Sequence, residues 1–139
     1  MRSAPAIVWC LVLFGVCIAS AGDATGREIA VESVAPGGEV MVMNHKNWGK
    51  GCKPRPAPTI KIIVQPSHGT VSLRPGKYPV NKTLHPDADT ACVGRTLPGI
   101  GIFYKADSGY QGADAFTYEV TLGFKNQRTF DFDAKITVK

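Results

Sequence analysis

Not one Asp or Glu occurs between Val40 and Pro86, a stretch that carries eight Lys and Arg. A segment so lacking in negative charge has no local acidic loop with which to hold a calcium ion. Histidine is scarce as well: His45, His68 and His85 are far apart and show no paired metal-ligand spacing. No G-x-S-x-G elbow or S-x-x-K surrounds Ser33, Ser67, Ser72 or Ser108, and no glycine-rich phosphate loop leads from a strand into a helix. Neither an enzyme nor a bound cofactor is expected. A hydrolase assembled across loops is the remaining catalytic alternative.

Long apolar runs are missing too, with one exception. Ala6 to Ile18 is a thirteen-residue run without charge, preceded by Arg2 and followed by Ala19-Ser20-Ala21. A positive start, a short apolar centre and an A-x-A exit are the parts of a secretory signal. The run is short for a bilayer, which needs about 20 apolar residues. We therefore expect residues 1–21 to be a cleaved signal peptide and 22–139 a single domain with no stable membrane insertion; an uncleaved anchor is the rival reading. Cys10 and Cys17 leave with the signal, so Cys52 and Cys92 remain, with 39 residues between them. Export to an oxidising compartment predicts a disulfide, and no CxxC spacing favours the alternative of a metal or nucleophilic cysteine.

The expected mature chain has 15 basic and 11 acidic residues, a net charge of +4, unevenly spread. Gly22–Glu39 carries −3, Val40–Pro86 carries +8 and Asp87–Lys139 carries −1. The positive charge is densest at Lys46, Lys50, Lys53 and Arg55, within an irregular stretch Asn44–Pro58 that contains Trp48, two Gly and three Pro. Two roles fit this cluster: steering of anionic partners, or a solvated loop that maintains solubility, and charge alone favours the second. Trp48 has two readings as well. It is an aromatic anchor beside cations, or it folds over the end of the domain beside Cys52, and as the sole Trp of the mature chain it fits the second better. Nucleic acid is not expected as a partner, since no finger or RNP-like motif is present. Asp87 and Asp89, with Asp107, are the one candidate cation group, although they fall short of the six to eight oxygen ligands that calcium takes.

No ten-residue stretch of the expected mature chain has a helical period. Phe130, Phe132, Ala134, Ile136 and Val138 alternate with polar residues, as do Phe116, Tyr118, Val120 and Leu122, which predicts two strands joined as a hairpin through Gly123–Gln127. Further strands are expected at Ile29–Val31, Val40–Met43, Ile60–Val64, Thr70–Leu73 and Ile102–Tyr104. Pro75-Gly76 is read as a turn, and Val40–Met43, apolar on both faces, as a central strand. About seven short strands with frequent turn signals predict an all-β, antiparallel Ig-like β-sandwich with one disulfide.

The run Pro66-Ser67-His68-Gly69-Thr70-Val71, then Tyr104, then Tyr110-Gln111-Gly112-Ala113-Asp114-Ala115-Phe116-Thr117-Tyr118, resembles the bacterial Ig-like, cadherin-like repeat family. The resemblance implies a β-sandwich in a surface or secreted protein, with Asp114 accepting backbone N–H groups. It covers Ile60 to Val120 and occurs once. About thirty residues separate Val71 from Tyr104, more than the family usually has. The acidic D-x-x-G turn that commonly follows Tyr118 in the family is replaced by Leu122-Gly123-Phe124-Lys125-Asn126, so cadherin-type calcium ligation does not carry over. The expected function is an exported, non-catalytic module recognising an envelope or extracellular glycan, anionic polymer or protein, with Lys46, Trp48, Lys50, Lys53 and Arg55 as candidate contact residues. The alternative is an exported inhibitor or chaperone-like protein acting through a sheet edge or loop.

Overall fold

A computed structural model describes residues 26–81, 89–123 and 127–139. The expected signal peptide lies outside the described residues, as do His85, Asp87 and the tip of the last hairpin at 124–126.

Among the described residues seven strands form: β1 (Arg27–Val34), β2 (Glu39–Lys46), β3 (Thr59–Val64), β4 (Gly69–Pro79), β5 (Thr96–Ala106), β6 (Gly112–Leu122) and β7 (Arg128–Val138). They build a sheet of order β1-β7-β6-β3 packed on a sheet of order β2-β5-β4, the four-on-three division of an Ig-type sandwich. The β6–β7 hairpin is in register from Gly112↔Val138 to Leu122↔Arg128. Alternation places Phe116, Tyr118, Val120, Phe132, Ala134, Ile136 and Val138 inward, all buried. Facing them from β5 are Ile102 and Tyr104, both with no exposed surface. The rings of Tyr104, Phe116, Tyr118 and Phe132 form a chain of stacked neighbours, with centroids 5.1–6.4 Å apart. Such pairs add to the hydrophobic gain from their burial.

Four local expectations are corrected. The sandwich is not wholly antiparallel, because β1 runs parallel to β7, with Arg27 opposite Phe132 and Val31 opposite Ile136. Parallel neighbours need a long connection, and here the rest of the domain supplies it. Pro75-Gly76 is not a turn: β4 passes straight through and pairs Gly76 with Gly99 and Lys77 with Pro98. Proline's missing N–H is tolerated because β4 is an edge strand, and because β2 ends where Lys46 meets Gly99, leaving Pro98 with β4 as its only ladder partner. Strand β5 is correspondingly much longer than Ile102–Tyr104. Val40–Met43 belongs to an edge strand, not a central one. Val42 points inward with Val40 by simple alternation, 8% exposed, while Met41 stays 39% exposed on the outer face; the register shift between Met41 and Met43 then changes the parity of the strand.

Strand β2 also extends into the stretch read as loop, through Asn44, His45 and Lys46. His45 is therefore a core residue, 6% exposed, with Nε2 3.0 Å from the Tyr118 hydroxyl and its ring 4.9 Å from that of Phe132. Its partners lie on other strands, so they were invisible locally.

Phe116→Ala should lower unfolding free energy by about 3–5 kcal/mol, whereas Ile63→Ala on exposed β3 should change it by less than about 1 kcal/mol. Urea denaturation of the two variants beside the parent checks both values.

Candidate functional site

The two irregular segments meet at one end of the sandwich, beyond the last residue of β2 and before the first of β5. Within the first arm, Arg55 N–H donates to Asn47 O at 3.0 Å, Gly49 N–H to Lys53 O at 2.8 Å and Cys52 N–H to Gly49 O at 3.1 Å. A single bridge pairs Trp48 with Pro54. The 3₁₀ turn Lys50–Cys52 contains two left-handed residues, Gly51 at φ 70° and Cys52 at φ 61°. Glycine adopts that conformation without penalty; a residue with a Cβ does so only where its surroundings hold it there. For Cys52 the restraints are its bond to Gly49 and its covalent partner.

That partner is Cys92, joined to Cys52 with a Cα–Cα distance of 5.5 Å. The second arm is another 3₁₀ turn, Thr90–Cys92, in which Asp89 Oδ1 accepts the Ala91 N–H at 3.0 Å. Asp89 also crosses to the first arm. Its Oδ2 accepts the Gly51 N–H at 3.0 Å, and its backbone carbonyl accepts the Trp48 indole N–H at 3.2 Å. The two arms thus share one disulfide and two hydrogen bonds, and Asp89 takes part in both hydrogen bonds. The Gly51 and Ala91 N–H groups hold the Asp89 carboxyl below the usual carboxylate range against a small opposing effect of burial, with further help from Lys50 and Arg95.

The structure brings Trp48, Lys50, Cys52, Lys53, Arg55 and Cys92 together in this knot. Lys50, Lys53 and Arg55 are exposed, and the Arg55 side chain lies against Gly49. Lys46 is set apart, in β2. Its aliphatic stem lies over Gly99, its ammonium donates to the Asn44 side-chain carbonyl, and burial pushes its pKa down. Trp48 is half-buried with its N–H engaged, which fits a support for the knot. Arg95, exposed on the second arm, was not anticipated, because forty or more residues of chain separate it from Lys50, Lys53 and Arg55. Asp89 carried a local signal that was missed: an Asp two residues before a backbone donor is a common turn cap.

Asp89 and Asp107 do not form a cation site together. They flank opposite ends of β5, whose eleven residues span about 35 Å. Among the described residues no group of three or more His, Cys, Asp or Glu is placed to hold a metal ion.

The residues that suggested an Ig-like repeat gather at the far end. Asp114 Oδ1 accepts Ser67 N–H at 3.0 Å and Ala115 N–H at 2.9 Å, and Oδ2 accepts His68 N–H at 3.0 Å and the Tyr104 hydroxyl at 2.8 Å. Gly69 is required there, since a Cβ would fall 2.5 Å from the Tyr104 ring and 2.6 Å from Lys105 O. The His68 ring stacks on Tyr110 with a centroid distance of 3.8 Å. Burial raises the Asp114 pKa, but hydrogen bonds from Tyr104, Ala115, His68 and Ser67 outweigh it and leave the carboxyl below its ordinary value. This cluster closes a corner of the fold and stands apart from the basic knot. Comparison with protein families, curated proteins and solved structures finds no match to the chain.

Because the folded Asp114 pKa is depressed, its contribution to stability is complete above the unfolded value of about 3.9 and is lost as pH falls through the folded value. Asp114→Asn should cost on the order of 2–4 kcal/mol at neutral pH and noticeably less near pH 2. Urea midpoints at the two pH values measure the difference. Asp89→Ala should accelerate amide hydrogen exchange at Gly51 and Ala91 while leaving the β6–β7 core amides protected.

Proposed function

We propose that the chain is an exported, non-catalytic Ig-like binding module that recognises an anionic glycan, polymer or protein of the bacterial envelope or extracellular space through the disulfide-tied knot. The observation that carries this reading is an exposed group of cations, Lys50, Lys53 and Arg55, on a loop whose backbone is held by a covalent bond and by Asp89. Preorganised positive charge attracts anions without the entropic cost of ordering a loop at each encounter. The disulfide suits an oxidising compartment, and the apolar leader with its A-x-A exit supports export. The resemblance to bacterial Ig-like, cadherin-like repeats supports the same setting. Lys46 and Trp48 flank the contact surface, Trp48 as its internal support.

A second reading, an inhibitor or chaperone-like protein working by strand addition, draws on β3. That strand lies at the open edge of its sheet and exposes Ile63 by 52% and Val64 by 54%. The two modes differ in their response to salt, which screens exposed charges and leaves backbone pairing largely unaffected.

Exchange of Lys50, Lys53 and Arg55 together for Gln should weaken binding to an alginate-coated surface about tenfold or more at low salt. The melting temperature should stay close to that of the parent. Biolayer interferometry across a salt series measures the loss, and unchanged binding by the triple variant would rule the loop out.

A further inference from the structure

We infer that the knot is a two-armed site for a linear acidic polysaccharide, in which Arg95 of the second arm acts with Lys50, Lys53 and Arg55 of the first. The inference rests on the binding-module reading above and names its ligand class and an additional contact residue.

Arg95 is placed for this by its backbone. Three residues after Cys92, its N–H donates to Cys92 O at 3.0 Å and its carbonyl accepts the Val80 N–H at 2.8 Å. The exposed side chain therefore leaves from a fixed point beside the disulfide. Both Lys50 and Arg95 lie close enough to Asp89 to stabilise its ionised form, which puts cations of both arms around one carboxylate. The ion pairs Arg74–Glu39 and Lys135–Glu28 are located elsewhere on the sheets. Among the described residues, four knot cations against the charge of Asp89 leave an excess of positive charge.

The shape of the ligand follows from where the backbone donors point. A small anion is held best by converging N–H groups, but those of Gly51 and Ala91 are already spent on the Asp89 carboxylate. What remains outside is a set of separate side-chain cations on a rigid base, which suits a chain bearing charges at intervals. Single-stranded nucleic acid gains much of its affinity from bases stacked on aromatic rings. Trp48 is the sole aromatic residue in 46–58 and 89–96, and it is half-buried with its N–H committed to Asp89. A carboxylated or sulfated polysaccharide requires no such ring.

Alginate, dextran sulfate, neutral dextran and a short DNA duplex are the probes, with the intact disulfide-bonded protein as analyte. Arg95→Gln is compared with Lys105→Gln, which removes the same charge from an exposed position near the opposite end of β5. Arg95→Gln should weaken alginate and dextran sulfate binding several-fold and lower the slope of log affinity against log salt by about one. Lys105→Gln should leave both quantities at the parent values, and neutral dextran should not bind. Equal behaviour of Arg95→Gln and Lys105→Gln, with binding still lost in the Lys50/Lys53/Arg55 variant, would overturn the two-armed site and leave the binding module standing. Displacement of alginate by the duplex at equal charge concentration would overturn the polysaccharide assignment. Failure of the parent protein to bind any polyanion would remove the binding-module reading itself.

Discussion

Ile102 and Tyr104 on β5 lie against Phe116, Tyr118 and Val120 on β6 with almost no surface left exposed, and the placement of the other elements follows from that contact. It joins the two sheets near the middle of each, since β5 is the central strand of one and β6 is interior to the other. Strands β2 and β4 can then add at the two sides of β5, and β7 and β3 at the two sides of β6. The burial is apolar and aromatic, so it supplies most of the stability but little direction. Direction comes from polar groups at the two ends.

Each end is closed by an aspartate that accepts backbone N–H groups from segments distant in the chain. Asp114 gathers Ser67 and His68, more than forty residues away, and Asp89 reaches back to Gly51. Their surroundings differ. Asp114 is 8% exposed and backed by the Tyr104 hydroxyl, and it completes the hydrophobic corner. Asp89 is half-buried and stands beside cations, with a disulfide carrying the mechanical restraint. The same chemistry thus yields a structural corner at one end and a charged, rigid surface at the other. The proposed contact surface is therefore at the second end, although the family-like motif marks the first.

Much of this was legible because it is local. The alternation in Phe130–Val138 and in Phe116–Leu122 identifies strands and their buried faces directly, and the hairpin follows from their proximity. Cys52 and Cys92 were readable as a pair once Cys10 and Cys17 were assigned to an expected signal peptide. Pro75 and Gly76 misled because a Pro-Gly pair is turn chemistry wherever it is judged alone. Only the neighbour across the ladder shows that β4 is an edge and that Pro98 has no partner on its other side. His45 was hidden for the same reason, since an isolated histidine near a run of lysines gives no sign of Tyr118 and Phe132. Among the site residues, the first-arm cations were legible from charge density, whereas Arg95 entered through the fold.

The sequence by itself determined an all-β chain, the faces of its two strongest strands, the cysteine pair and a central segment of unopposed positive charge. These depend on residue type and on a two-residue period, both properties of short stretches. Tertiary structure decided that β1 runs parallel to β7, that β2 is an edge, that Lys46 lies on a sheet and that Asp89 and Arg95 join the basic loop. Each of those outcomes depends on which distant segments share buried surface or backbone hydrogen bonds, and no local pattern encodes that choice.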